Sequence, residues 1–460
     1  MNAIVIGICG YIGLQILVGA WVARRVATET DYMLAGRSLG VGLAAASIFA
    51  TWFGAEVVIG AASRVYSVGL SGAHAEPFAY AAGIVIMGLV FARKLWRHGI
   101  QTFADFFRAR YSTRVERIAA VLLIPGSVLW AAAQIRGFGQ IVGSASGLEL
   151  ETALTLAAVA VIAYTVLGGL LADVYNDFVQ SIVIVVGLAG LAWIALAEGG
   201  GIAASFARID PARFNLFPEG QTLLGLAEKW AIPICGSIVA VELISRLLAC
   251  RTPDIARTSA MFGGAAYLLI ALIPVTIGLV GPALMPDIAN SEQLVPEIAK
   301  AHLPPLFYIL FVGALIAAVL STVDSCLLAA GTLLSHNLLL RLLPAATERT
   351  KVRIARSSVA ALGLCAYLLA LRATHISDLV ETASAFASAG LFVTLVFGLF
   401  TRMGGELSAI AAMMSGALVW LAGSSLLDLE APYLAGIAAA TVAYVAVAQF
   451  EMRSPMREPA

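Results

Sequence analysis

Long apolar runs alternating with short charged ones set the pattern of this chain. A helix needs about 20 apolar residues to cross the hydrocarbon core of a bilayer. Measured with that ruler, the sequence predicts about thirteen spans, at residues 2–23, 41–70, 75–95, 116–146, 152–172, 176–197, 224–249, 258–283, 303–338, 355–372, 378–401, 406–424 and 432–450. The fold class expected is an all-α integral membrane protein with the lipid bilayer as its surroundings. An odd number of crossings puts the two termini on opposite sides. The first run is followed by Arg24 and Arg25 with no small-residue cleavage site, so it reads as a retained helix and not as a signal peptide.

Composition agrees. Of 460 residues, 60% are hydrophobic and 12% charged, and the mean hydropathy is +0.93; a water-soluble surface needs more polar groups than that. The 28 basic and 28 acidic residues cancel, so bulk charge points to neither nucleic acid nor an acidic partner. Their placement says more. With the N-terminus outside, the cytoplasmic segments collect Arg24, Arg25 and Arg37, the cluster from Arg93 to Arg117, then Arg246, Arg251 and Arg257, the cluster from Arg341 to Arg356, Arg402, Arg453 and Arg457, which is most of the basic total. The predicted location is the plasma membrane, as a multi-pass protein of a bacterial inner membrane with its C-terminus in the cytoplasm. Cys9, Cys235, Cys250, Cys326 and Cys365 fall in apolar stretches without CxxC spacing and read as small buried residues.

With no soluble domain predicted, the chemistry must lie inside the bundle. Two spans carry the irregularities of broken helices, Trp52-Phe53-Gly54-Ala55-Glu56 and Pro233-Ile234-Cys235-Gly236-Ser237. They lie five spans apart, the pattern of two inverted five-helix repeats with ligands bound at the breaks; either stretch also fits plain close packing through Gly and Pro. A carboxylate at the bilayer centre costs about 2.5–3.5 kcal/mol on the insertion scale, so Glu56, Asp177, Glu242 and Asp324 each call for a partner or a purpose. Ser321 and Ser325 share a helical face flanked by Thr322 and Asp324, an oxygen cluster suited to a hard monovalent cation. Asp177, on residues alone, reads as a carboxylate at the cytoplasmic edge. Trp52, Tyr80 and Trp130 fall away from the interfacial belts and suit a cationic ligand, at about 0.5–2 kcal/mol per ring.

These residues fall into recognisable motifs. Asp31-Tyr32-Met33-Leu34-Ala35-Gly36-Arg37, Thr51-Trp52 through Tyr66, Leu129-Trp130-Ala131-Ala132-Ala133, Tyr164-Thr165-Val166-Leu167-Gly168-Gly169 through Gln180, and Leu320-Ser321-Thr322-Val323-Asp324-Ser325 come in order along nearly the whole chain. In them the chain resembles the sodium/solute symporter family, and within it the high-affinity choline transporter branch. The resemblance implies ten core helices in two inverted repeats, within a ten-helix core at 41–401, preceded by the first helix and loop at 1–40 and followed by two helices and a short tail at 402–460. It implies a sodium ion held by the carbonyls of Ala55, Val58 and Ala318 and the hydroxyls of Ser321 and Thr322. It offers a second sodium at Asp177, with Ser321, Asp324 and Ser325; Asn176 stands where many relatives have Thr. Trp52, Tyr80 and Trp130 correspond to rings that surround a quaternary ammonium.

The chain departs from that pattern at Ala240, where relatives carry a further Trp, with Glu242 close by and Arg136 beyond Trp130. Glu242 would attract a cation and Arg136 a carboxylate; alternatively the two pair with each other or with other groups. The expected function is sodium-coupled import of a small organic solute by alternating access, the solute a quaternary amine or another cationic or zwitterionic compound. A symporter of proline, pantothenate, a monocarboxylate or a sugar, and a sensor built on a transporter fold, remain as alternatives. The five histidines are scattered near span ends and no nucleophile–base pair appears, so an enzyme is not expected, nor is an obligatory protein partner.

Overall fold

The computed structural model describes residues 10–453 apart from residues 12, 16, 19, 20, 23, 25, 218, 219, 374 and 375. The predicted span at 2–23 therefore lies largely outside the described residues. Beyond it the chain is helix after helix, and the only pairing of extended backbone among the described residues is one isolated bridge between Leu39 and Cys250. Among the described residues, ten helices are long and apolar enough to cross a membrane.

The difference from the thirteen expected has local causes. The predicted span at 41–70 is cut after Trp52, leaving Val41–Trp52 as a helix of 12 residues. Its second half runs on with the next span as one stretch, Glu56–Arg97. The stretch Leu150–Glu198 is two helices that meet at a kink at Gly169, the first a shorter apolar helix, Leu150–Ala163, and the second, Gly168–Glu198, long enough to span. Gly169 has φ 64, and a methyl group there would stand 2.7 Å from the Tyr32 ring and 2.8 Å from its carbonyl oxygen. A glycine is required both by the left-handed backbone and by the close approach.

Helix starts follow capping chemistry. Thr28 with Asp31 and Thr102 with Asp105 form capping boxes, and Ser112, Thr222, Thr252 and Thr347 each accept a first-turn N–H. Apolar side chains such as Trp193, Phe262, Leu418 and Val442 point outward, exposed, as a lipid-facing surface demands. The interior is built on close approaches at small residues: Gly83 meets Ser237, and Gly278 meets Ala62 and Val65. The long helix Pro305–Thr332 runs through the centre, and every residue from Ala314 to Gly331 is buried.

One end of the bundle is tied by ions. Glu116 accepts from Asn337 (2.8 Å) and Arg341 (2.7 Å), while Asp105 faces Arg341, Arg108 and His336. Burial works against ionisation of Asp105, yet His336, the Thr102 N–H and Arg108 together hold its carboxyl below the usual range.

Candidate functional site

Two breaks organise the centre. Val41–Trp52 ends at Phe53 (φ −99, ψ 64) and the helix resumes at Glu56. Leu223–Val239 ends at Ala240 (φ −65, ψ 122) and resumes at Val241. The second break thus falls beyond Pro233-Ile234-Cys235-Gly236-Ser237, which stays helical. In that stretch Gly236 lies against Ser384, where a β-carbon would meet the Ser384 carbonyl oxygen at 2.9 Å. Close packing explains the small residue there.

The first break faces the long central helix. Ala55, Val58, Ala318, Ser321 and Thr322 are all buried. Thr51 Oγ1 lies 3.2 Å from Ser325 Oγ, and Thr322 Oγ1 donates to the Ala318 carbonyl at 3.3 Å. Gly54 is pressed so close that a methyl group on it would lie 2.8 Å from Thr322 Oγ1 and 2.5 Å from Glu56 Oε2, with Gln134 Oε1 nearer still. Gln134 fastens the break: its Oε1 accepts the Ala55 N–H (2.8 Å) and its Nε2 donates to Glu56 Oε2 (2.6 Å). The free helix end is thereby satisfied by a side chain from Thr113–Ser146.

Beside it lies a buried ion cluster. Asp177, fully buried and not at an edge, accepts from Ser47 (2.5 Å) and Ser321. Arg246 reaches in from the second broken helix: its Nε donates to Ser47 (2.8 Å), its Nη1 to the Glu242 carbonyl (3.1 Å), and its Nη2 to Asp173, Ser325 and Asp177 (3.3 Å). Asp177 and Ser325 therefore share a cation in this conformation, the Arg246 guanidinium. Asp324, buried next to Ser325, lies within electrostatic reach of Asp173. Arg246, placed by charge counting among cytoplasmic residues, is instead withdrawn completely into the bundle. Neither it nor Asp173 was singled out by sequence, and the signal available was the same as for Asp177: a charge within reach of an apolar span.

The rings also converge. Trp52 and Trp130 meet edge to face at 5.3 Å, and Tyr80 lies 6.3 Å from Trp130. The Tyr80 hydroxyl lies 2.6 Å from Ser384 Oγ. Trp130, Ser384, Ala240 and Glu242 line a small cavity of about 40 Å³, where Ser127 donates to Glu242. Trp52 Nε1 is buried without a hydrogen-bond partner among the described residues, which is costly unless something else meets it. Arg136 is half-buried and does not line the cavity of Trp130 and Glu242.

On one side of the rings Tyr80 borders a vestibule of about 470 Å³ carrying Arg64, His74, Glu76, Lys229 and Glu381. On the other, a cleft of only about 20 Å³ is lined by Tyr32, Thr102, Arg246 and Ser325. Space is thus wide beside Tyr80 and narrow beside Arg246.

Comparison with known proteins places this geometry. The family model described as Sodium:solute symporter family matches residues 32–416. The high-affinity choline transporter 1 of Caenorhabditis elegans is 26% identical over 91% of the chain and 77% of its own length. The high-affinity proline transporter PutP of Bacillus subtilis is 26% identical over 92% and 93%. Among solved structures, the substrate-bound outward-open state of a Na+-coupled sialic acid symporter aligns with a TM-score of 0.86 over 97% of each chain, at 16% identity.

Proposed function

We propose, for a chain that belongs to the sodium:solute symporter family and so moves a small organic solute by sodium-coupled symport, a site for each of the two passengers. The sodium ion binds between the carbonyls of Ala55, Val58 and Ala318 and the hydroxyls of Ser321 and Thr322. The solute carries an ammonium head that seats against Trp52, Trp130 and Tyr80 with Glu242 nearby. The convergence of three rings at the point where both helices break supports this most directly. Ring faces attract cations by about 0.5–2 kcal/mol each, and Glu242 adds Coulomb attraction where Ala240 leaves room. In this reading the vestibule at Arg64 opens outward, the N-terminus is outside, the C-terminus is cytoplasmic, and the host is a plasma membrane. The 41–401 segment is the moving core, and the two helices after residue 402 flank it.

Transport follows by alternating access. Sodium bridging the first break to the central helix favours the outward-open form, and the bundle then rocks to open the cleft at Arg246. One inward charge gains about 2.3 kcal/mol per 100 mV, and a tenfold gradient about 1.4 kcal/mol more, enough for roughly several hundredfold accumulation. A second sodium at Asp177, Asp324 and Ser325 has to share the oxygens of Asp177 and Ser325 with Arg246.

Two experiments test this. Replacing Ser321→Ala with Thr322→Ala weakens sodium activation of uptake; unchanged activation defeats the sodium assignment. A thermal-shift screen of purified protein, with and without sodium, against choline, betaines, proline, pantothenate, monocarboxylates and sugars identifies the solute as the compound that stabilises only together with sodium. Response confined to carboxylates without an ammonium group defeats the aromatic seat.

A further inference from the structure

The oxygens that the family resemblance implies for a second sodium are those of Asp177, Ser321, Asp324 and Ser325, and Arg246 is already bonded among them. One nitrogen, Arg246 Nη2, donates to Asp173, to Ser325 Oγ and to Asp177 Oδ2 (3.3 Å). The other Asp177 oxygen accepts the Ser321 hydroxyl. A sodium ion bridging Asp177 and Ser325 would share both with a full positive charge. All these groups are buried, so the repulsion between the two cations would be poorly screened. The residues present therefore do not fit a second sodium while the guanidinium stands there.

Arg246 has little freedom to leave. Its Nε donates to Ser47 (2.8 Å), its Nη1 donates to the Glu242 carbonyl (3.1 Å), and its side chain is 1% exposed. The cleft it borders measures about 20 Å³, room for little more than one water. A guanidinium keeps its charge throughout the physiological pH range, and its planar fork suits several fixed acceptors at once. Its bonds also tie four elements together: Arg246 lies on Val241–Leu248 beyond the second break, Ser47 on the first broken helix, Asp173 and Asp177 on Gly168–Glu198, and Ser325 on the central helix.

We propose that Arg246 is a tethered cation in the place of a second sodium, so that this chain couples its solute to a single sodium ion. The inference rests on the sodium-coupled reading above, with its ion at the first break, and adds the number of ions that travel. A mobile ion leaves the protein in each cycle and carries its charge inward. The guanidinium stays on the chain and returns with it, so it holds the cluster together and adds nothing to the driving force. The limit on accumulation is that of one ion, roughly several hundredfold, and not the square of that figure.

The test counts ions on the purified protein by equilibrium binding, with radioactive sodium chloride as the probe. Wild-type binding saturates at one ion per chain, and Thr322→Ala, which alters only the first set of oxygens, weakens it at least tenfold. Arg246→Met frees the second set and doubles the saturating value to two ions per chain. Arg246→Met with Asp173→Asn, which orphans fewer charges, gives the same doubling and serves where the single variant does not fold. Arg246→Lys keeps a tethered charge and stays at one. Two ions per chain in the wild type overturn the inference and leave the sodium-coupled reading standing. A single ion per chain in the Arg246→Met variants overturns it as well, because the freed oxygens then have no capacity for sodium. A wild type that binds no sodium overturns the site at the first break, and the inference with it.

Discussion

Arg246 and Arg64 both face carboxylates, one on each side of the Trp52–Trp130–Tyr80 rings, and their surroundings are opposite. Arg246 has no exposed surface and spends its donors on Ser47, Asp173, Asp177, Ser325 and a carbonyl. Arg64 is 31% exposed, pairs with Glu76, and borders a vestibule of about 470 Å³. The contrast shows how a transporter is biased toward one open mouth. Arg64, beside a wide cavity, keeps part of its hydration although Glu76 is buried, so separating the two costs less than in a dry cluster. Charges in a dry cluster have already lost their hydration, and each depends on its partners. The Arg246 side therefore opens only if water enters as the ions part, whereas the Arg64 side widens or narrows by small rearrangements.

The largest expected effect comes from removing the buried cation. Arg246→Met leaves Asp173 and Asp177 without their partner and destabilises the protein by about 3–5 kcal/mol. The measurement is unfolding of detergent-purified protein. Adding Asp173→Asn to Arg246→Met recovers part of the loss, because one of the orphaned charges goes with it; a double variant as unstable as the sum of the two single ones shows the pair is not coupled.

Next in size is Gly169→Ala, which attacks the same closed side through the backbone. The left-handed φ costs a side chain about 1–2 kcal/mol, and crowding against Tyr32, which lines the closed cleft, adds about 1 kcal/mol or more. A melting temperature equal to the wild type's sinks this account of the bend.

These two positions also mark what the chain discloses in advance. Membrane crossings are legible because lipid demands long apolar runs whatever the tertiary structure. The first break is legible because Gly54 and Glu56 interrupt such a run. The second is misplaced onto Pro233 because a proline in a membrane helix is tolerated when neighbours satisfy the backbone, while Ala240, where the helix actually opens, has no local signature. Arg246 is assigned to the cytoplasm because charge counting sees only distance from an apolar run. Its partner Asp173 lies 73 positions away, and nothing local links them. The residues proposed for sodium and the three rings are named from motifs that resemble a family, yet Gln134, Ser47 and Ser127, which bond to the buried carboxylates, sit in plain apolar sequence.

The smallest effect belongs to the open side. Arg64→Gln removes an ion pair at the edge of water, and its cost to stability is about 0.2–1 kcal/mol, the range of exposed pairs. Glu76 keeps little exposure of its own, 3% at the side chain, so the upper half of that range applies. Ionic strength separates the two arginines further. Raising salt at fixed sodium screens charges that water reaches and shrinks the difference between wild type and Arg64→Gln, while the penalty of Arg246→Met is unchanged because the added salt does not reach the cluster. If the Arg64 penalty instead equals that of Arg246 and ignores salt, the vestibule is as dry as the closed cleft, and the protein has no open side to bind from.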